Sequence, residues 1–369
     1  MSLRDLKLIF RNWGNGRYNL YTNVYYLFQN GDSNFDIFTT QDLYFRDSNK
    51  LEYNMKQKGV YILELSFLDE KLYYYLKFIQ FRDILRRGSA IHEKGYEDIA
   101  ATFGLANNHV TVLNHFGSRG FGYMLTSGGK NWPGQFKLLE DKFNKWNIPF
   151  PGNDKHNVYC PLGTVECDNY LNDMSLGANF ATVNHLLVCQ YVIEAFTEVL
   201  GDSVDAYLVY YIAHNIIRKE IVDNATAYVH RKGATRAYPA LHHELKGGPF
   251  YNTGHPILLP GNPIEGSTIM VGKNGSRRAL NSVNHGAGRT MSRKAISAIV
   301  TQKSINDEME QADIVSNCKN YPVDESPLAY KNYNAVIDSV EKAGLASLVA
   351  RLKPIMNIKD NDNSKENAA

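Results

Sequence analysis

Between residues 170 and 200 apolar side chains return at helical spacing, at Leu176, Phe180, Val183, Leu187, Val188, Tyr191, Ile193 and Val199, whereas the apolar runs on either side have strand length. The pattern predicts one long packed helix, with His185 inside it as a structural residue. A β-branched run at 110–113 leads to His115, and the run at 205–213, Asp-Ala-Tyr-Leu-Val-Tyr-Tyr-Ile-Ala, leads to His214. Each reads as a strand that delivers a histidine to its end. Further strands are predicted at 226–230, 255–259 and 268–271, with Gly-Pro turns between them, and an amphipathic stretch at 96–103. Short strands and a few long helices without regular βαβ alternation predict an α+β fold.

A hydrophobic content of 44% over 369 residues is enough for a substantial core. No stretch approaches the eighteen uninterrupted apolar residues of a membrane helix, and the first 25 residues lack a basic start followed by an apolar run, so the expectation is a cytoplasmic product with no membrane partner. Residues 1–90 are rich in Tyr and Phe and offer no recognisable chemistry; their uneven aromatic spacing suits packing better than RNA stacking. The segment at 361–369 is too polar to fold alone and reads as a disordered tail. Four cysteines, Cys160, Cys167, Cys189 and Cys318, lack the paired spacing of a structural zinc site and read as free thiols. The net charge of +2 conceals a concentration: residues 214–300 hold twelve Lys or Arg against four Asp or Glu. Positive charge gathered among glycine-rich turns suits an anionic ligand such as phosphate or RNA.

Four constellations carry the chemistry. The first, His115-Phe-Gly-Ser-Arg119-Gly-Phe-Gly122, follows a histidine with three glycines and an arginine, which open backbone amides and a planar cation to phosphate. The second is His214-Asn215; imidazole suits manganese or zinc, and two such histidines can share a metal, although a lone one is as readily a core residue. The third is Asn284-His285-Gly-Ala-Gly288-Arg289, continuing to Ser292 and Arg293. With no side chains around it, that imidazole is open to attack on a phosphorus, giving a phosphoramidate that divides one hard transfer into two easier ones. The fourth, His230-Arg231-Lys232-Gly233-Ala-Thr-Arg236-Ala-Tyr-Pro239, collects cations that favour phosphate or simply solvate a loop.

Taken in order, these motifs resemble those of the RtcB RNA ligases, which join RNA ends bearing a 3′-phosphate or 2′,3′-cyclic phosphate to 5′-hydroxyl ends; the resemblance covers about residues 95–360. It implies one compact α+β catalytic domain over 91–360 with a central layered β-sheet, and GTP and Mn²⁺ as cofactors. It further implies that His285 is guanylylated and that His115 and His214 are manganese ligands. Asn215, Pro260, Gly261, Asn262, Pro263 and Ser267 fall on its nucleotide-contacting positions, with Gly286, Ala287 and Gly288 as the phosphate cradle. Tyr330, in Ser326-Pro-Leu-Ala-Tyr330-Lys, and Lys359, closing Arg351-Leu-Lys-Pro-Ile-Met-Asn-Ile-Lys359, would meet the guanine, and Arg119 and Arg293 would hold RNA phosphates.

Departures from the family accompany the match. Its Asp-x-x-Cys motif and its Gly-Asn-His-x-x-x-Glu segment have no counterpart, and residues 1–159 contain no cysteine. His92, Asp83, Glu93 or Asn108-His109 are the residues that could replace those ligands. Without them the alternative is a catalytically degenerate RtcB-like protein that binds RNA or GTP without a complete two-metal site. A third reading is a metallohydrolase with no nucleotide requirement.

Overall fold

The computed structural model describes residues 90–358 apart from 106–108, 130–132, 151, 153–156, 201–205, 207 and 317–320. The aromatic-rich segment, Asp83, Asn108, Cys318, Lys359, the tail at 361–369 and the side chain of His92 lie outside the described residues. The chain separates into two compact units; of the described residues, 113–211 form one, and 90–112 with 212–358 form the other. In chain order the second unit opens with β1 (Ala90–His92) and α1 (Glu97–Thr102). The first unit supplies α2 (Arg119–Ser127), α3 (Gln135–Lys145) and α4 (Val165–Leu200). The second resumes with β2 (Asn215–Val222), β3 (Ala225–Lys232), β4 (Ala234–Arg236), β5 (Pro256–Asn262), β6 (Gly266–Gly272) and β7 (Ser282–Asn284). It ends with α5 (Arg293–Ser297), α6 (Gln302–Gln311), β8 (Val315–Ser316), α7 (Tyr333–Lys342), β9 (Ala346–Leu352) and β10 (Met356–Asn357).

In the first unit the periodicity at 170–200 is realised as α4, which begins earlier than the apolar pattern does. Thr164 accepts the Cys167 amide through its hydroxyl, and Glu166 and Asp168 place negative charge in the first turn, so the start is set by capping. Leu176, Phe180, Val183, Leu187 and Val188 are buried, and Phe180 stacks on Phe121 of α2 with ring centroids 4.5 Å apart. Phe143 of α3 is fully buried against Phe150 and Tyr159. The buried Gln135 carboxamide donates to Asp173 Oδ2 at 2.6 Å, which ties α3 to α4.

The second unit is built on a four-stranded antiparallel sheet, β1-β9-β6-β5, over which α7 lays Tyr333, Ile337 and Val340 against Ile257, Leu259, Met270 and Leu348. Each such side chain contributes about 1.5–3 kcal/mol of burial. The Tyr333 hydroxyl reaches the Leu259 carbonyl and Thr268 Oγ1, so the ring is buried with its polar end satisfied. The remaining strands form two-stranded pairs, β2-β3, β4-β7 and the parallel β10-β8. Mixed helix and strand content fits the expected α+β class; among the described residues the strands form one four-stranded sheet and three two-stranded pairs.

Among the described residues two predicted strands do not form. Residues 109–117 contain no strand, nor do the described residues of 205–213; β2 starts at Asn215, so His214 precedes a strand instead of ending one. The reason is pairing: the β2–β3 ladder runs only from Asn215↔Lys232 to Val222↔Ala225, closed by Asp223 and Asn224, both at positive φ, as a tight hairpin demands. A β-branched run without a partner strand has no ladder to join. The basic run is also redirected. Arg231, 3% exposed, forms a bidentate pair with buried Glu220 and donates to Ser282 Oγ and the Leu280 carbonyl, which makes it a bolt within the second unit and not a phosphate contact.

Removing one partner of that pair strands a buried charge, so Glu220→Ala is expected to cost about 3–5 kcal/mol in urea unfolding, whereas an exposed charge deletion such as Lys219→Ala changes it by under about 1 kcal/mol. Burial, then the charge of Arg236, holds the His255 imidazole well below its ordinary pKa, and burial followed by His243 and Arg277 pushes His242 down to about 4. The unfolded chain therefore takes up these protons first. The stability they confer is full above about pH 6.5 and is lost as pH falls toward 4. The urea midpoint is expected to drop between pH 6.5 and 5, above the carboxylate range; a flat profile there contradicts the assignment.

Candidate active site

One glycine organises the histidines of the second unit. After β3 the chain must leave its partner β2 and pair with β7, and Gly233 makes that change with φ +66°, in the left-handed region. Its amide donates to the His214 carbonyl at 2.8 Å and lies 3.1 Å from Asn215 Oδ1, while its carbonyl accepts the His285 amide at 3.0 Å. The segments carrying both histidines are thus gripped by a single residue. The rings follow the backbone: His214 and His285 stack with centroids 3.8 Å apart and planes 10° apart, both half-buried.

Beyond His285 the loop is held from three sides. Asn284 donates its side-chain amide to the Gly286 carbonyl at 2.9 Å, the Ala287 amide donates to the Pro260 carbonyl at 3.1 Å, and the Lys331 amide donates to the Gly288 carbonyl at 3.0 Å. Gly288 sits at φ +75°, which a side chain would strain. Ala287 is buried, whereas Gly288 faces solvent, so the cradle is anchored at its centre and open at its end.

A second wall follows from Arg289. Its guanidinium donates to the Asp324 and Met291 carbonyls and lies over the Tyr330 ring, 5.2 Å from the centroid. The Tyr330 hydroxyl donates to Glu325 Oε2 at 2.8 Å; burial, and then the Glu325 carboxylate, push its pKa up to about 12, so it remains a donor at neutral pH.

Of the residues singled out in the sequence, the second unit gathers His214, Asn215, His285, Gly286, Ala287, Gly288 and Pro260 around these contacts. Pro260, Gly261 and Asn262 are the end of β5 and not a loop. Asn262 accepts the Ile264 and Glu265 amides, capping the turn to β6, which includes Pro263, and Ser267 pairs with Pro260 across it. Arg293 is exposed and bonds Asp324 Oδ2 at 2.7 Å, with Glu325 3.7 Å away. His115 and Arg119 belong to the first unit, both exposed, His115 in a segment without helix or strand and Arg119 opening α2. Sequence reading placed Gly233 and Arg289 inside motifs without giving either a role, and it missed Glu325. The signal for the first was a glycine set between two strand-like stretches.

Imidazole nitrogens are borderline donors that suit a d-block dication, so His115 and His214 fit a manganese or zinc ion by their chemistry.

A family model described as tRNA-splicing ligase RtcB matches residues 89–360. The tRNA-splicing ligase RtcB of Thermococcus kodakarensis is 35% identical over 269 residues, covering 70% of this chain and 54% of that protein. The protein of the same name from Nanoarchaeum equitans is 33% identical over 274 residues, covering 71% and 55%. That of Pyrococcus furiosus is 35% identical over 270 residues, covering 70% and 27%. The chain spans about half the length of the first two relatives and about a quarter of the third.

A methyl group at Gly233 would meet nothing within 4 Å, so Gly233→Ala pays only for its φ. The expected loss is about 1–2 kcal/mol in chemical unfolding. Gly233→Pro also removes the amide that binds His214 and Asn215 and forbids a positive φ, so its loss should be clearly larger; equal losses would show that the amide contacts contribute nothing.

Proposed function

Since this chain belongs to the RtcB family, we propose that it is a GTP- and Mn²⁺-dependent RNA ligase that joins 3′-phosphate or 2′,3′-cyclic phosphate ends to 5′-hydroxyl ends through guanylylated His285. The relatives' names point to tRNA halves as one substrate. The observation that carries the reading is the Gly233 grip, which holds His285 against His214 at the mouth of a glycine loop.

In the first step the His285 imidazole attacks the α-phosphorus of GTP. An N–P bond forms and pyrophosphate leaves with the electron pair of the broken P–O bond. Gly286 and Gly288 leave room for the phosphate, and the stack on His214 restrains the ring that must attack. An oxygen of the RNA 3′-phosphate then attacks the same phosphorus and frees the imidazole. Finally the 5′-hydroxyl of the second RNA attacks the activated 3′-phosphate; GMP departs and the hydroxyl proton goes to solvent or a nearby base. His115 and His214 would hold manganese, which when bound supplies positive charge to the phosphate oxygens. Asn215, Tyr330 and Lys359 are assigned to the nucleotide, with Glu325 keeping the Tyr330 phenol oriented. Pro260, Gly261, Asn262, Pro263 and Ser267 are likewise assigned to the nucleotide, the Pro260 carbonyl also holding the Ala287 amide of the glycine loop, and Arg119 and Arg293 are assigned to RNA phosphates.

With α-labelled GTP and manganese, the protein is expected to acquire acid-labile, base-stable label that is lost in His285→Ala and kept in His230→Ala. Label persisting in His285→Ala refutes the assignment. Salt-sensitive RNA binding with neither label nor ligation would establish the non-catalytic reading instead.

A further inference from the structure

The first unit contains a set of contacts that the assignments above leave unused. Residues 113–118 have neither helix nor strand, and side chains from one stretch of α4 contact them. Asn184, 2% exposed, donates its side-chain amide to the Gly117 carbonyl at 2.9 Å. His185 Nε2 is 2.9 Å from the Phe116 carbonyl, which can only accept, so Nε2 carries the proton. The same ring lies flat on the Phe116 ring, centroids 4.0 Å apart and planes 10° apart, and meets Tyr211 edge-on at 5.0 Å. One turn further on, Cys189 Sγ receives the Asn114 side-chain amide at 3.5 Å.

These contacts bracket His115 on both sides. Its own ring is exposed, while Asn114, Phe116 and Gly117 are held. We propose that Asn184 and His185 are positioning residues, which clamp the Phe116 and Gly117 carbonyls to α4 and so present the His115 imidazole in one orientation to the metal. This rests on the reading of His115 as a metal ligand. The physical reason is entropic: each loop residue released from one backbone well must be ordered again when the ligand binds. Contacts that orient a metal ligand from behind are typically worth about 10–100-fold in metal affinity.

The test uses the full chain and Mn²⁺ alone, with free Mn²⁺ followed by electron paramagnetic resonance and amide exchange of residues 114–117 followed without metal. His185→Phe preserves a stacking ring and removes the donor. It is expected to speed exchange at 114–117 and weaken Mn²⁺ about 10–100-fold, raising the Mn²⁺ needed for half-maximal guanylylation while leaving the rate at saturation near that of the parent. His185→Gln returns a nitrogen donor at the same reach and is expected to recover most of the affinity. Asn184→Ala gives an independent arm with the same direction if the Phe variant fails to fold. Unchanged exchange and Mn²⁺ affinity within twofold in His185→Phe or Asn184→Ala overturn the clamp. Unchanged Mn²⁺ affinity in His115→Ala, with exchange still faster in His185→Phe, instead overturns the ligand reading beneath it.

Discussion

Everything assigned to the second unit depends on the peptide groups flanking Gly233. A residue that must donate toward one histidine segment and accept from the other can do so only where the chain turns between two ladders, and a left-handed φ is what turns it. A side chain there would resist that conformation. The two imidazoles are therefore not brought together by mutual attraction. They are stacked because β3 ends and β4 begins on either side of one glycine, with each ladder fixing one of them.

The charges near this site divide by role. Arg231 is enclosed and neutralised by Glu220 within the β2–β3 hairpin, and its two further donated bonds, to Ser282 Oγ and the Leu280 carbonyl, hold that hairpin to the segment that enters β7. Arg289 is spent on the carbonyls of Met291 and Asp324 and on the face of Tyr330, which joins the glycine loop to the segment before α7. Arg293 is exposed, and its guanidinium pairs with the carboxylates of Asp324 and Glu325. A count of positive charge over 214–300 could locate an anion site but could not sort these cations, because sorting depends on which side chains are enclosed.

Much of the fold was legible where a pattern had a physical period. The apolar repeat at 170–200 became α4, the runs at 226–230 and 268–271 fell within β3 and β6, and all of 255–259 but His255 fell within β5. The runs before His115 and His214 failed because strand propensity says nothing about whether a partner strand exists. Asn262 has a local role that the sequence did not show: its carboxamide closes the β5–β6 turn. The order of the four histidine and glycine motifs identified the family, which the match over 89–360 bears out. His185 was rightly taken as structural, but its grip on Phe116 could not be read from the chain, since it joins residues 69 apart.

The central claim is that one imidazole in the second unit takes the guanylate. The most direct measurement is tandem mass spectrometry of the protein after incubation with GTP and Mn²⁺, under base-stabilised conditions, on the peptide that contains His285 and ends at Arg289. The account predicts a guanylate on His285 and an unmodified His214. Guanylate on Lys331 or His214, or an unmodified His285 in protein that ligates RNA, would contradict it.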